Sequence, residues 1–248
     1  MNFARVIIVG LAIFSGALSV RASDAVSAEF DAANRLYAQN KFAEAAVAYE
    51  QILTNGAVSP VLYFNQGNAY FKAGQIGRAI AAYRQAERFT PRDPDVRANL
   101  QFARNRVQGP TIKAAAWQRG LNKLSLNEWT GLAVAGLWLT IALLIARQLK
   151  PALRPVLRSW TWIAGASALI LFGCVWFAAK QSFTSQIAIV TTTDATVRTS
   201  PFDESPSAFT AHDGAELRVL DRKDDWVQVT DDARRLGWLK RGTLSLEL

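Results

Sequence analysis

The sequence predicts a multidomain membrane protein in three parts: an all-α helical repeat, a hairpin of two apolar helices and a C-terminal all-β barrel. Three observations predict it. Residues 24–110 repeat themselves at a spacing of 34 residues. Residues 129–146 and 160–179 are long apolar runs without a charge, separated by a basic loop. Beyond residue 181 the pattern becomes short alternating runs broken by turn residues.

Residues 1–22 read as an export signal. Arg5 supplies the positive start and residues 6–20 the apolar core. Val20-Arg21-Ala22 offers a cleavage site, although Arg21 also suits an uncleaved anchor. Either version carries residues 23–125 out of the cytoplasm.

In the repeat, assigned to residues 23–110, Phe30 pairs with Phe64, Asn34 with Asn68, Ala45 with Ala79 and Tyr49 with Tyr83. The second copy holds Gly67, Tyr70, Ala79, Tyr83 and Pro91 at the spacing of the tetratricopeptide (TPR) motif, which this stretch resembles. Small Gly67 and Ala79 let paired helices approach, Tyr70 and Tyr83 fill the space between them, and Pro91 ends the second helix. The first copy is weaker, with Ala33 in place of the glycine. A single helix after Pro94 is expected to cap two repeats. The resemblance implies a concave face of first helices that takes an extended peptide. By spacing that face includes Phe30, Asn34, Tyr37, Phe64, Asn68, Phe71 and Lys72. An asparagine amide offers a donor and an acceptor to a peptide backbone.

Residues 111–124 mix Lys113, Arg119 and Lys123 with Trp117, Leu121 and Leu124. They read either as an interfacial helix or as a basic spacer. Ser125 and Glu128 form a capping box, which starts the first apolar helix. The spans are assigned to 125–147 and 160–180. At about 1.5 Å per residue each approaches the roughly 30 Å of a bilayer interior. The loop 148–159 and its edge carry Arg147, Lys150, Arg154 and Arg158 and no acid. Such loops stay in the cytoplasm, so both flanking regions are expected outside it.

Residues 185–248 should form the barrel, with strands over 187–191, 196–198, 216–221, 226–230 and 235–239. The phrases TTTDATVRTSP, HDGAELRVLDRKDDWVQV and RRLGWLKRGTLS follow the order of a bacterial SH3 domain, which the segment resembles. Trp226 and Trp238 are then aromatics of its core or its cleft.

Charge division excludes some functions. The chain carries a net +8, but residues 111–180 alone hold eight bases against one acid. The excess belongs to the membrane flanks. Neither flanking region shows a nucleic-acid footprint. Cys174 is the only cysteine and His212 the only histidine. No nucleophile–base pair, metal cluster or phosphate loop is legible, so no enzyme activity and no cofactor are expected.

Export signal, TPR pair, basic-looped hairpin and SH3-like end, in that order, resemble the BatE-type proteins of bacterial aerotolerance (Bat) operons. The resemblance implies a protein of the cytoplasmic (inner) membrane with both soluble regions in the periplasm. It implies partners among MoxR-type AAA+ ATPases and membrane proteins with von Willebrand factor A (VWA) domains, and a role in envelope stress. The expected function is a scaffold that binds partner proteins. The alternative is a cell-wall protein whose SH3-like domain binds peptidoglycan.

Overall fold

The computed structural model describes residues 26–107, 116–121, 123–184 and 187–246. The export signal expected over 1–22 lies outside them, as does most of the first half of the basic linker.

Five helices form the repeat region: α1 (26–38), α2 (Phe42–Thr54), α3 (Pro60–Lys72), α4 (Ile76–Phe89) and α5 (Pro94–Arg104). Their starts follow local chemistry. The Ser59 hydroxyl accepts from the Val61 amide with Pro60 at the first helical position, and the Asp93 carboxylate accepts from the Asp95 and Val96 amides. The core between the helices is built from small and aromatic residues. Ala45, Ala46, Ala69 and Ala79 are fully buried, with Tyr49, Tyr83, Ile52 and Ile80 beside them. Gly67 is small for a visible reason: a Cβ there would lie 2.6 Å from the Tyr83 ring. The pair α3 and α4 therefore closes on that one position.

A short α6 (Ala116–Leu121) precedes the two long helices α7 (Leu126–Leu149) and α8 (Arg154–Thr184). The capping box at the start of α7 is present, with Ser125 and Glu128 exchanging both hydrogen bonds. The two helices pack antiparallel through small residues. Ala133 is buried, and a Cβ on Gly136 would stand 3.5 Å from Ala168. Gly131, in contrast, meets nothing within 4 Å. The Thr140 and Thr161 hydroxyls return to the backbone oxygens of Gly136 and Leu157, which leaves no orphan donor there. The expected loop 148–159 contracts to Lys150 and a 3-10 turn over Pro151–Leu153. Pro155 falls in the first turn of α8, where proline suits a helix start, so Arg154 and Arg158 are helical rather than looped. The outward faces are apolar all round: Trp138, Leu139, Leu169 and Ile170 are each more than half exposed.

The C-terminal region is one antiparallel sheet of seven strands: β1 (Ile187–Val190), β2 (Asp194–Arg198), β3 (Ser207–His212), β4 (Glu216–Lys223), β5 (Trp226–Thr230), β6 (Leu236–Lys240) and β7 (Leu244–Leu246). The order is β3-β2-β6-β5-β4-β1-β7. The ladder runs from β3 to β7 without closing into a ring among the described residues, so the expected barrel is hydrogen-bonded as an open sheet. Its core is Ala188, Val190, Val197, Leu217, Val227, Val229 and Leu239.

The β domain docks on the repeat region along α4 and the end of α5. Ile189 of β1 is buried in the same apolar cluster as Ile80 and Leu100. The Gly77 amide donates to the Asp213 carboxylate at 3.1 Å, and a Cβ on Gly77 would lie 2.0 Å from the Val190 carbonyl oxygen. Gly214, with φ +84°, turns its backbone against Val107 and Ile80. A third repeat would place its second helix against α4 and α5. The β domain takes that place and closes the stack.

Candidate protein-binding surfaces

The face expected to hold a peptide is built by the first helices of each pair. Asn34 on α1 and Asn68 on α3 are half-buried, and neither has both ends of its amide free. The Tyr49 hydroxyl donates to Asn34 Oδ1 at 2.6 Å, and the Tyr83 hydroxyl to Asn68 Oδ1 at 2.8 Å. Asn99 on α5 adds a second donor to Asn68 Oδ1, at 2.9 Å. The acceptor of each amide is thus spent inside the stack, and the tyrosine fixes which way the amide points. What remains for a ligand is the NH2 group, which suits a peptide carbonyl.

Burial pushes the Tyr49 hydroxyl up to about 12 and raises Tyr83 as well, so both remain donors at neutral pH. Tyr70 is likewise held at about 12, by burial first and then by the neighbouring Glu50 carboxylate, to which it donates at 2.9 Å.

Phe30 packs on Tyr49 and Phe64 on Tyr83, with ring centroids 5.9 and 6.0 Å apart. Tyr37 meets Phe42 edge-on at 5.1 Å. These three therefore help hold the stack together as well as flanking its face. Lys72 is exposed at the end of α3. Phe71 meets Phe102 of α5 at 5.4 Å, and Arg106 lies over the Phe102 ring. Phe102 is 52 % exposed, which makes this pair the open apolar part of the face. Asn99, Phe102 and Arg106 were not expected there. The 34-residue period carries Asn65 to Asn99 and Asn68 to Phe102, so the repeat arithmetic held the signal.

On the β domain, Trp226 and Trp238 face away from the core strands' buried side chains. Val227, Val229 and Leu239 point inward, and the two tryptophans alternate with them on the outer face. Gln228 opposes Trp238 and Lys240 opposes Trp226, so the two rings are diagonal neighbours across β5 and β6. Lys240 lies over the Trp226 ring and pairs with Asp203 at 2.6 Å. Phe202, 52 % exposed, belongs to the same loop as Asp203. Both tryptophans are half-buried on that face.

Between the two surfaces lies an ion cluster. Glu216, on β4, is 1 % exposed. Arg84 of α4 reaches its Oε2 at 2.6 Å, while Arg104 of α5 reaches Oε1 at 2.6 Å and Oε2 at 3.2 Å. Both carboxylate oxygens are thereby satisfied by cations from the other domain. At the base of the repeat region, Arg92 pairs with Glu128 of the α7 capping box. The basic residues Arg147, Lys150, Arg154 and Arg158 sit at the opposite end of the long helices, where Arg154 donates to the Arg147 carbonyl oxygen.

Comparison with known families identifies two modules. Residues 30–94 match the tetratricopeptide repeat model, and residues 192–245 match the bacterial SH3 domain model. No curated protein matches the chain. The chain thus contains a TPR region, two long apolar helices and an SH3-like antiparallel domain. Both matched modules imply protein partners and are consistent with a non-enzymatic chain.

Proposed function

We propose that the chain is a membrane-anchored scaffold that holds partner proteins on the periplasmic face of the inner membrane. The observation that carries this reading is the Glu216 cluster. It joins a domain that precedes the two long helices to one that comes after them. Two docked domains must lie on one side, so the helices cross as a hairpin or not at all. The helices are long and apolar enough to cross, and little of either is buried within the protein. The arginine-rich turn then selects the cytoplasmic end, and the docked domains lie outside.

The peptide face of the TPR region and the tryptophan face of the SH3-like domain are held in fixed relation. A partner that touches both gains the second contact without a further loss of freedom. By the Bat-type resemblance, the partners are VWA-domain membrane proteins in a complex with a MoxR-type ATPase, acting in envelope stress or aerotolerance. The test is binding of the full chain, in lipid nanodiscs, to overlapping peptides from the periplasmic segments of such VWA proteins. At least one peptide should bind and should weaken about tenfold, or by ~1.4 kcal/mol, in Asn68→Ala with Phe102→Ala. Binding by no peptide, or binding unchanged in the double variant, contradicts the reading.

A second reading rests on Trp226 and Trp238, which lie half-buried on the outer face of the sheet. There the SH3-like domain holds peptidoglycan. The full chain in detergent should then sediment with isolated sacculi, and Trp226→Ala with Trp238→Ala should stay in the supernatant. Sedimentation of neither protein removes this reading.

A further inference from the structure

A groove of about 620 Å³ runs between α6 and the outer ends of α7 and α8. Its size is that of a small-ligand site, roughly 300–1,000 Å³. Trp117 and Leu121 of α6 form one side, Trp129 of α7 the end, and Ile170, Gly173 and Phe177 of α8 the floor. The floor residues keep an i, i+3, i+7 spacing and form one stripe about 10 Å long.

Two features distinguish the groove from an ordinary gap. Gly173 and Gly120 border it, and a Cβ on either would meet nothing within 4 Å. Neither glycine has a positive φ, and neither allows a close helix contact. A glycine inside a helix costs about 1 kcal/mol relative to alanine. Here its effect is to keep the trough open. The second feature is the way α6 is fixed over it: the Trp129 indole N–H donates to the Leu121 carbonyl oxygen at 3.0 Å. That bond spends the indole donor. The floor offers apolar surface and one thiol, Cys174.

The mouth is basic. Lys180 lies 5.3 Å from the Trp176 ring, and that ring meets Phe177 of the floor edge-on. Lys123 is exposed two residues beyond Leu121. Glu128, the acid at this end of α7, is occupied by Ser125 and Arg92.

We propose that this groove holds one acyl chain of an anionic phospholipid, with its phosphate against Lys123 and Lys180. The proposal rests on the membrane reading above. A polar ligand would find little along the floor, whereas a lipid meets apolar walls with Lys123 and Lys180 a few residues from them in the chain.

The full chain is reconstituted in vesicles of mixed phosphatidylcholine and phosphatidylglycerol, extracted in mild detergent and weighed by native mass spectrometry. The intact protein should retain one phosphatidylglycerol. Gly173→Leu, whose Cβ would meet nothing within 4 Å, puts a side chain at the trough and should lose it about tenfold or more. Lys123→Gln with Lys180→Gln should keep a lipid but lose the preference for phosphatidylglycerol. Alkylation of Cys174 should be slowed by added phosphatidylglycerol and not by phosphatidylcholine. No retained lipid, equal retention by Gly173→Leu, or a Cys174–Cys174 cross-link between two copies in place of lipid overturns the proposal. A carbonate wash of the vesicles separates the two readings. Release of the protein refutes the membrane reading, whereas firm embedding without a retained lipid refutes only the groove.

Discussion

Arg104, on the last helix of the repeat region, holds the buried Glu216 carboxylate of the β domain with two hydrogen bonds, at 2.6 and 3.2 Å. The two residues stand 112 positions apart in the chain, with both long helices between them. Their side-chain exposures are 20 % for Arg104 and 0 % for Glu216. A buried carboxylate is costly unless it is fully paired, and Arg84 completes the pairing. The interface is therefore sensitive to loss of any one partner.

Glu216→Ala removes the carboxylate that Arg84 and Arg104, both on the repeat region, share at the interface. Removing one partner of a buried pair costs about 3–5 kcal/mol. The expected result in detergent is faster amide exchange in β1, α4 and α5, with the interiors of α2 and α3 little changed. Unchanged exchange at β1 would contradict the docking role of this residue.

Gly77→Val tests the same interface without charge. A Cβ at Gly77 would lie 2.0 Å from a backbone oxygen, which no side-chain rotation relieves. The β domain must lift away from α4. Amide exchange in β1 should quicken in this variant, while in Gly120→Val, where a Cβ meets nothing within 4 Å, it should match the parent.

Asp213 gives the interface a pH dependence of definite sign. Burial raises its pKa, and the bonds from the Gly77 and Ile76 amides, the Arg78 charge and the bond from the Gly214 amide offset this only in part. The folded state therefore favours the protonated acid. As pH rises from the ordinary aspartate value, near 4, through the folded value, the unfolded chain holds fewer protons and stability falls. Asp213→Asn keeps the acceptor for Gly77 and removes this loss. Its melting temperature should equal or exceed the parent's at pH 7, and the difference should vanish below about pH 4. A variant less stable than the parent at pH 7 would show that the charge itself holds the interface.

The tyrosines give a second window. Tyr49 and Tyr70 are held at about 12 against an ordinary 10, chiefly by burial. The stability that this reflects is complete below pH 10 and is lost as pH rises towards 12. Helical circular dichroism should fall in that window together with the appearance of tyrosinate absorbance. Tyr49→Phe should flatten the fall, and loss of helix well below pH 10 would contradict it.

Much of the architecture was legible because it rests on local pattern. The period that pairs Asn34 with Asn68 also set the helix pairs, and Ser125 with Glu128 marked the start of α7 within a residue. Two strands were missed for local reasons. Ser207–His212 contains two alanines, a serine and a histidine in place of a β-branched run, and Leu244–Leu246 is three residues long. The docking of the domains was not legible. Glu216 reads only as the first residue of an expected strand, and Gly77 as an ordinary helix-start residue. Their partners lie more than 100 positions away, beyond any periodic signal. The candidate peptide face was half legible. Spacing found Asn34 and Asn68 but could not show that tyrosine hydroxyls already occupy their oxygens.

The most direct test of the central claim is sided labelling of two single cysteines in a Cys174→Ser background. Val47→Cys reports on the repeat region and Asp232→Cys on the β domain, both at exposed positions. Intact cells with a permeabilised outer envelope are treated with a membrane-impermeant maleimide. The account predicts that both cysteines are labelled before the inner membrane is broken. Labelling of one before lysis and of the other only after it would contradict the account, because two domains on opposite sides of a membrane cannot share Glu216.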